Sequence, residues 1–218
     1  MKLFVDTAKL EDIETLASWG VLSGVTTNPT LLSQVDGDED SIYRRICELV
    51  DGPISAEVVA DARGPMVTEG RRLAAIHPNI VVKLPTCEEG LAATRELAKD
   101  GIRVNMTLCF TASQAMLAAA AGAAIVSPFV GRFDDISENG LDHLGDIVEC
   151  LQNSDHSTEV LAASIRSPVH VVEAARLGAD IATIPPKVFY QMLKHPLTTT
   201  GIEKFNEDHA ARLARQSA

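Results

Sequence analysis

Basic charge and aromatic side chains are both scarce in this sequence. Its 218 residues carry 19 lysines and arginines against 30 aspartates and glutamates, for a formal net charge of −11, and only 4% are aromatic. The pairs Arg44 with Arg45 and Arg71 with Arg72 lie in helical patterns, and no basic run is interleaved with aromatics. We therefore expect neither a nucleic-acid partner nor a membrane partner, because both need clustered positive charge.

Cysteine is also sparse. The four cysteines, Cys47, Cys87, Cys109 and Cys150, are widely spaced and form no C-x-x-C pair. This pattern is typical of reduced thiols rather than of a disulfide framework. The N-terminal segment enters a strand-like run at residues 3–5 without the basic and apolar stretches of a signal peptide. A cytoplasmic location is expected.

Motifs for metals, nucleotides and dinucleotides are missing. The six histidines show no H-x-H or H-E-x-x-H spacing, and there is no G-x-G-x-x-G or Walker-type glycine loop. We therefore expect no metal and no cofactor.

One long stretch, residues 104–131, lacks charge and has the length of a membrane span. Its apolar part is mostly alanine, and it contains Asn105, Thr107, Gln114 and Pro128. These residues favour a packed helix between buried strands over a span in lipid.

Short β-type runs alternate with helical patterns along the whole chain, which is typical of parallel βα units. The predicted strands are Leu3–Asp6, Gly24–Thr27, Ile54–Val59, Ile80–Leu84, Val104–Leu108, Ala124–Phe129, Val160–Ile165 and Asp180–Ile184. Eight such units predict an α/β fold, a single (β/α)₈ TIM barrel that forms one domain over residues 1–218.

Helix-end signals agree with the alternation. Ser113 is predicted to cap a helix over residues 114–121 that Gly122 ends, and Pro168 is predicted to begin a helix that stops before Gly178. Residues 201–218 are predicted to form an additional C-terminal helical tail, with Ile202, Phe205, His209 and Leu213 at helical spacing. Two interpretations of this tail remain open: it packs on its own barrel or it docks on a neighbouring subunit.

Lys83 is the most informative single residue, because it interrupts the apolar run Ile80–Pro85. A buried lysine is costly unless it has a function, and desolvation favours the neutral amine that attacks a ketone to form a Schiff base. The alternative is a lysine that extends to solvent or pairs with a carboxylate. Lys187, after Pro185 and Pro186, is a weaker nucleophile candidate that is expected to be exposed or to cap a helix.

Polar residues recur near the carboxyl ends of the predicted strands. In a barrel these ends converge on one face, where active sites are built from residues of separate strands. Taken singly, each residue could instead be turn or cap chemistry. The residues are Asp6, Thr26, Thr27, Asn28, Glu57, Lys83, Asn105, Thr107, Ser127, Ser164 and Arg166.

Five segments in order resemble one family, the small-subunit branch of the transaldolases, which also contains the fructose-6-phosphate aldolases. They are Phe4–Thr7, Gly24–Pro29, Val81–Pro85, Ser127–Arg132 and Ala162–Arg166. The resemblance implies a cofactor-free enzyme of the pentose phosphate pathway, whose substrates are sugar phosphates. It would transfer a dihydroxyacetone unit between sedoheptulose 7-phosphate or fructose 6-phosphate and glyceraldehyde 3-phosphate or erythrose 4-phosphate. It also implies a ring-based homo-oligomer, often a decamer of two pentamers.

The resemblance also implies catalytic roles. Lys83 would form the Schiff base, and Asp6 would be the acid/base at the C4 hydroxyl. Glu57 and Thr107 would hold the water that transfers protons during carbinolamine formation and dehydration.

Substrate-binding roles follow from the same resemblance. Asn28, Asn105 and Ser127 would bind the hydroxyls of the donor sugar. Arg132, Ser164 and Arg166 would bind its phosphate.

Two positions separate the branches of the family, since the aldolase branch carries Gln and Tyr where this chain has Glu57 and Phe129. Both residues are transaldolase-like. The alternatives are a fructose-6-phosphate aldolase that releases dihydroxyacetone, and a phosphosugar-binding barrel without catalysis.

Overall fold

The structure, a computed structural model, describes residues 1–216 and contains one closed barrel of eight parallel strands. Neighbours in the chain are neighbours in the barrel, and the first strand closes the ring by pairing with the last. The strands are β1 (Lys2–Asp6), β2 (Gly24–Thr26), β3 (Ile54–Glu57), β4 (Ile80–Pro85), β5 (Val104–Cys109), β6 (Ile125–Pro128), β7 (Glu159–Ala162) and β8 (Ile181–Ile184). The predicted (β/α)₈ TIM barrel is confirmed.

The helices lie outside the barrel and bury its outward-facing residues, such as Val5, Val82 and Val126. Parallel strands with both faces covered read as continuous apolar runs, which is why the sequence located all of them. Along residues 1–216 the helices are α1 (Leu10–Ser18), α2 (Pro29–Leu32), α3 (Glu39–Leu49), α4 (Arg63–Ala74), α5 (Glu88–Lys99), α6 (Ala112–Ala121), α7 (Val130–Asp134), α8 (Gly140–Gln152), α9 (Pro168–Leu177), α10 (Pro186–Leu193) and α11 (Pro196–Gln216).

The helix-end predictions were right except for one cap. Thr111, not Ser113, caps α6: its hydroxyl accepts from the Gln114 N–H at 3.2 Å, while the Gln114 side chain accepts in return from the Thr111 N–H. This reciprocal pair satisfies two helix-end donors. Gly122 ends α6 in the left-handed conformation, with φ of 99°.

The barrel interior is divided into two layers. The apolar layer consists of Phe4, Val81, Ile125, Leu161 and Ile181, which pack together in one buried cluster. Gly24 leaves room for the Phe4 ring, because a Cβ there would lie 2.5 Å from the ring's Cζ atom. Two residues further along each of these strands, on the same inward face, the chain carries Asp6, Lys83, Ser127, Ala163 and Thr183. We call the polar residues of this set, together with Thr26, Ser55, Glu57 and Asn105, the polar layer; Ala163 packs with the apolar cluster.

The C-terminal helix begins at Pro196, earlier than predicted, and residues 217 and 218 of the predicted tail fall outside the described part of the chain. The residues of α11 are not buried, and Leu197, Ile202 and Phe205 are 73%, 56% and 74% exposed. Within residues 1–216 no helix has the length and apolar character needed to cross a bilayer. The charge-free stretch over residues 104–131 folds into β5, α6, β6 and the start of α7.

Candidate active site

The Lys83 side chain lies inside the barrel and is held by two oxygen atoms from neighbouring strands. Its Nζ donates to the Glu57 carboxylate at 2.8 Å and to the Thr27 carbonyl at 3.1 Å, and the residue is 5% exposed. The β3–β4 register places Glu57 directly beside Lys83. The lysine therefore pairs with a carboxylate, which the sequence offered as an alternative to a functional role. Lys83 also lines the cavity, so the pairing and the functional interpretation apply together.

Asp6 faces the same cavity and is fixed by a relay of two threonines. The Thr26 hydroxyl donates to Asp6 Oδ1 at 2.8 Å and lies 2.5 Å from the Thr183 hydroxyl. Since Thr26 has a single hydroxyl proton, Thr183 is the donor in the second contact. Burial raises the pKa of Asp6, and the Thr26 hydrogen bond and the charge of Lys83 partly oppose that rise.

The polar layer continues through an amide on β5. Ser127 Oγ donates to Asn105 Oδ1 at 2.6 Å, and Asn105 Nδ2 donates to Ser55 Oγ at 3.1 Å. All three residues are buried. This network holds the Asn105 amide in one orientation, which is required of a group that recognises a hydroxyl.

Thr107 lies two residues beyond Asn105 and is fully buried. Its Oγ1 has no hydrogen-bond partner within the described residues, whereas its carbonyl accepts from the Thr86 N–H and the Thr86 hydroxyl. The strand is irregular at this point, and Leu108 has a φ of 54°. A buried hydroxyl without a partner is available to bind water or substrate.

Four other predicted residues line the cavity above Lys83. An inner part of about 150 Å³ is bounded by Asn28, Phe129, Arg132 and Ser164, and an outer part of about 330 Å³ adds Leu108. Asn28 also caps α2, since its Oδ1 accepts from the Leu31 N–H at 2.9 Å. The turn-and-cap interpretation and the binding interpretation thus apply to the same residue.

Three predicted site residues, Asn105, Thr107 and Arg166, do not line the cavity, and Arg166 is paired elsewhere. Its guanidinium donates two hydrogen bonds to the Asp135 carboxylate, with N–O distances of 2.5 and 2.6 Å. These bonds lower the pKa of Asp135. Arg132 lines the cavity and makes no salt bridge within the described residues.

Sequence reasoning missed two residues of the polar layer. Ser55 and Thr183 lie in short strands whose small polar side chains are unremarkable among β-branched residues. Their spacing was the available signal, because each lies two residues from another inward-facing position, Ser55 from Glu57 and Thr183 from Ile181. The rival nucleophile Lys187 is exposed in the first turn of α10.

No group of three or more histidine, cysteine, aspartate or glutamate side chains within residues 1–216 is arranged to hold a metal ion. The chemistry of this cavity is carried by an amine, two carboxylates and several hydroxyl and amide groups. Fold and site together define a (β/α)₈-barrel enzyme built around a lysine of the lumen.

The chain belongs to the Transaldolase/Fructose-6-phosphate aldolase family, whose model matches residues 3–217. A "Probable transaldolase" of Thermus thermophilus is 59% identical over 217 residues, covering 95% of this chain and 97% of the relative. Proteins with the same name from Clostridium tetani and Symbiobacterium thermophilum are each 56% identical, over 96% and 99% of this chain and 98% and 100% of their own length.

Two solved structures share the fold at low identity. A thiamine phosphate pyrophosphorylase from Pyrococcus furiosus has a TM-score of 0.58 at 15% identity, and covers 84% of this chain and 85% of its own. The carboxyl transferase domain of Rhizobium etli pyruvate carboxylase has a TM-score of 0.61 at 13% identity, over 85% of this chain and 39% of its own. At such identities the likeness concerns the barrel fold alone.

Proposed function

We propose that this protein is a transaldolase that transfers a dihydroxyacetone unit between sugar phosphates through a Schiff base on Lys83. The observation that carries the proposal is the position of the Lys83 amine, enclosed in the lumen beside the Glu57 carboxylate and facing the same cavity as Asp6. Family membership and the names of the relatives support the same activity.

The proposed first half-reaction begins when the Lys83 amine attacks the C2 carbonyl of the donor ketose. A C–N bond forms, the carbonyl oxygen leaves as water, and the resulting protonated imine withdraws electrons from C3. Asp6 takes the proton of the C4 hydroxyl, the C3–C4 bond breaks, and an aldose phosphate leaves. The electrons of the broken bond stay in the enamine of dihydroxyacetone, which remains attached to Lys83.

In the second half-reaction the enamine carbon attacks the aldehyde of the acceptor. Asp6 returns its proton to the new hydroxyl, and water then hydrolyses the imine to release the new ketose and the free amine. Every step draws on side chains of the chain itself, so the proposed mechanism needs no cofactor.

Glu57 and Thr107 are assigned to the water-dependent steps. Glu57 lies within hydrogen-bond distance of the reacting nitrogen, and the unpartnered Thr107 hydroxyl can hold a water molecule. The fixed Asn105 amide, Ser127 and Asn28 are assigned to the hydroxyls of the donor.

The phosphate is assigned to Arg132 and Ser164 at the cavity, with Arg166 behind them. Arg132 supplies an unpaired guanidinium there despite the overall negative charge. Engagement of Arg166 by the phosphate requires the Arg166–Asp135 pair to open or to share its donors.

Glu57 and Phe129 favour transaldolase over the related aldolase. Phe129 cannot donate a hydrogen bond to the catalytic water, and Glu57 is ionisable where the aldolase branch has an amide. We predict that the double variant Glu57→Gln with Phe129→Tyr protonates the enamine more often, so free dihydroxyacetone rises relative to transfer product. An unchanged ratio of the two products, measured by chromatography, would contradict this assignment.

The direct test of function mixes the protein with fructose 6-phosphate, with and without erythrose 4-phosphate. Sedoheptulose 7-phosphate formed only with the acceptor, with little free dihydroxyacetone, identifies a transaldolase. Free dihydroxyacetone without acceptor identifies an aldolase. Borohydride reduction with fructose 6-phosphate separates both from a binding protein, since a mass adduct on Lys83 requires Schiff-base chemistry.

The remaining expectations belong to the same proposal: one domain, a cytoplasmic enzyme of the pentose phosphate pathway, and a homo-oligomer. The exposed apolar residues of α11 support association, because a helix with Phe205 74% exposed has an uncovered apolar surface. Sedimentation analysis of the purified protein tests this, and a decamer of two pentamers is the expected assembly.

A further inference from the structure

We propose that Tyr43 is a positioning residue for Lys83, fixing from outside the barrel Thr27, whose carbonyl holds the lysine amine. The inference rests on the proposed function, in which Lys83 is the nucleophile. Tyr43 lies on α3, is fully buried, and reaches the outer side of β2 and β3.

The hydrogen bonds of the Tyr43 phenol have a defined direction. Its Oη lies 3.0 Å from Thr27 Oγ1, and Thr27 Oγ1 donates its only proton to the Ser55 carbonyl, also at 3.0 Å. Tyr43 must therefore donate to Thr27.

Thr27, which accepts the Tyr43 proton, is one of the two residues that hold Lys83. The Thr27 carbonyl and the Glu57 carboxylate accept from Lys83 Nζ at 3.1 and 2.8 Å. The phenol and the Thr27 hydroxyl thus connect α3 to Thr27 and to the Ser55 carbonyl of β3, immediately behind the first of these acceptors. A small shift of either strand end would change the position of the amine.

Thr27 lies where the pairing between β2 and β3 ends. The register contains Val25 with Ile54 and Thr26 with Ser55, and the Thr27 N–H donates to the Ser55 carbonyl at 3.2 Å. The β3–β4 register, in contrast, continues through Glu57 and Lys83. The phenol therefore contacts β2 at the last residue that its pairing with β3 holds in place.

Packing alone does not account for the hydroxyl. Tyr43 lies in the main apolar cluster, where a phenylalanine ring would fill the same space without a polar group to satisfy. Burial raises the pKa of the phenol, so it remains protonated and able to donate.

The test is the variant Tyr43→Phe, which keeps the ring and removes the hydroxyl. We expect kcat for transfer and the rate of borohydride trapping on Lys83 both to fall about tenfold, because loss of one buried hydrogen bond lets the nucleophile shift. KM should stay within about twofold, since Tyr43 does not line the cavity.

The matched control is Thr94→Val, which removes another fully buried hydroxyl from an outer helix. Thr94 Oγ1 donates to Met106 Sδ at 2.7 Å and has no link to Lys83. All variants are assayed at a temperature at which circular dichroism shows them folded. The control should lose stability but keep kcat and the trapping rate of the parent.

Thr27→Val provides a second route, since it removes the acceptor of the Tyr43 proton and keeps the Thr27 carbonyl. A similar fall in kcat, and a double variant no worse than either single one, support the proposal. If either folded single variant traps substrate at the parent's rate, the proposal is overturned. If the parent itself gives no adduct on Lys83, the proposed function fails. This result differs from the one that overturns the Tyr43 proposal, in which parent and variant both form the adduct at the same rate.

Discussion

The apolar and polar layers of the barrel interior lie on the same strands, yet they have opposite properties. On five strands the apolar layer carries Phe4, Val81, Ile125, Leu161 and Ile181, all 3% exposed or less. Two residues further on, those strands carry mostly groups that need hydrogen bonds. The apolar layer closes the barrel and stabilises it. The polar layer is held in place by this rigid support and carries the groups of the candidate site.

The comparison shows why the polar layer is costly. Lys83 and Glu57 have been removed from bulk water and must compensate one another, whereas the Phe4 ring gains free energy from burial. Stability and activity should therefore respond separately to substitutions in the two layers.

The largest effect is expected when the ion pair of the polar layer is removed. The double variant Lys83→Met with Glu57→Gln should lower kcat by a factor on the order of 10⁴, because it lacks the proposed nucleophile. Its free energy of unfolding should equal or exceed that of the parent, by about 1–4 kcal/mol at most, because a buried pair is replaced by groups without charge. Denaturant unfolding beside the transfer assay measures both. A large loss of stability would mean that the ion pair also holds the barrel together.

The reverse result is expected for the apolar layer. Phe4→Ala should cost about 3–5 kcal/mol of unfolding free energy through the cavity it leaves. The molecules that remain folded should keep a kcat near that of the parent. Phe4→Leu is the control and should cost less, since it retains most of the buried volume. If Phe4→Ala lowered kcat in fully folded protein, the two layers would not be independent.

A smaller effect should sharpen the comparison within the polar layer. Because burial raises the pKa of Asp6 and the Thr26 hydrogen bond opposes that rise, Thr26→Val should raise this pKa further. In the proposed mechanism Asp6 acts as a base only when ionised, so the acidic limb of the kcat profile should move to higher pH. Thr183→Val leaves the Thr26–Asp6 bond in place and should shift the acidic limb less. If the limb does not move in Thr26→Val, it reports the titration of a group other than Asp6.

Much of the fold could be predicted because buried parallel strands have a strong sequence pattern. Strand ends were less certain: β3 ends at Glu57 rather than Val59, and β7 at Ala162 rather than Ile165. The prediction of the α6 cap was wrong because Thr111 and Ser113 are both good cap residues two positions apart. Only the reciprocal hydrogen bonds between Thr111 and Gln114 distinguish them.

The candidate site was predictable where a residue was unusual for its surroundings, as Lys83 is. Partners contributed by distant elements were not predictable from one sequence. Tyr43 reaches the site from a helix, and Asp135 meets Arg166 across 31 positions of the chain. Such contacts depend on the tertiary fold rather than on any local period.

The closing contact between β1 and β8 also bears on how the protein is made. One edge of β1 pairs with β2, but the other edge pairs through residues 2–5 with residues 181–184, so the first strand keeps one open edge while most of the chain is being synthesised. At ribosomal speeds this delay lasts roughly 10–40 s. During that time the Asp6 side chain lacks the threonine relay that Thr183 completes. A truncated nascent chain would therefore carry Lys83 and Asp6 in a barrel that is still open, and the cavity they line would be enclosed only after the last strand leaves the ribosome.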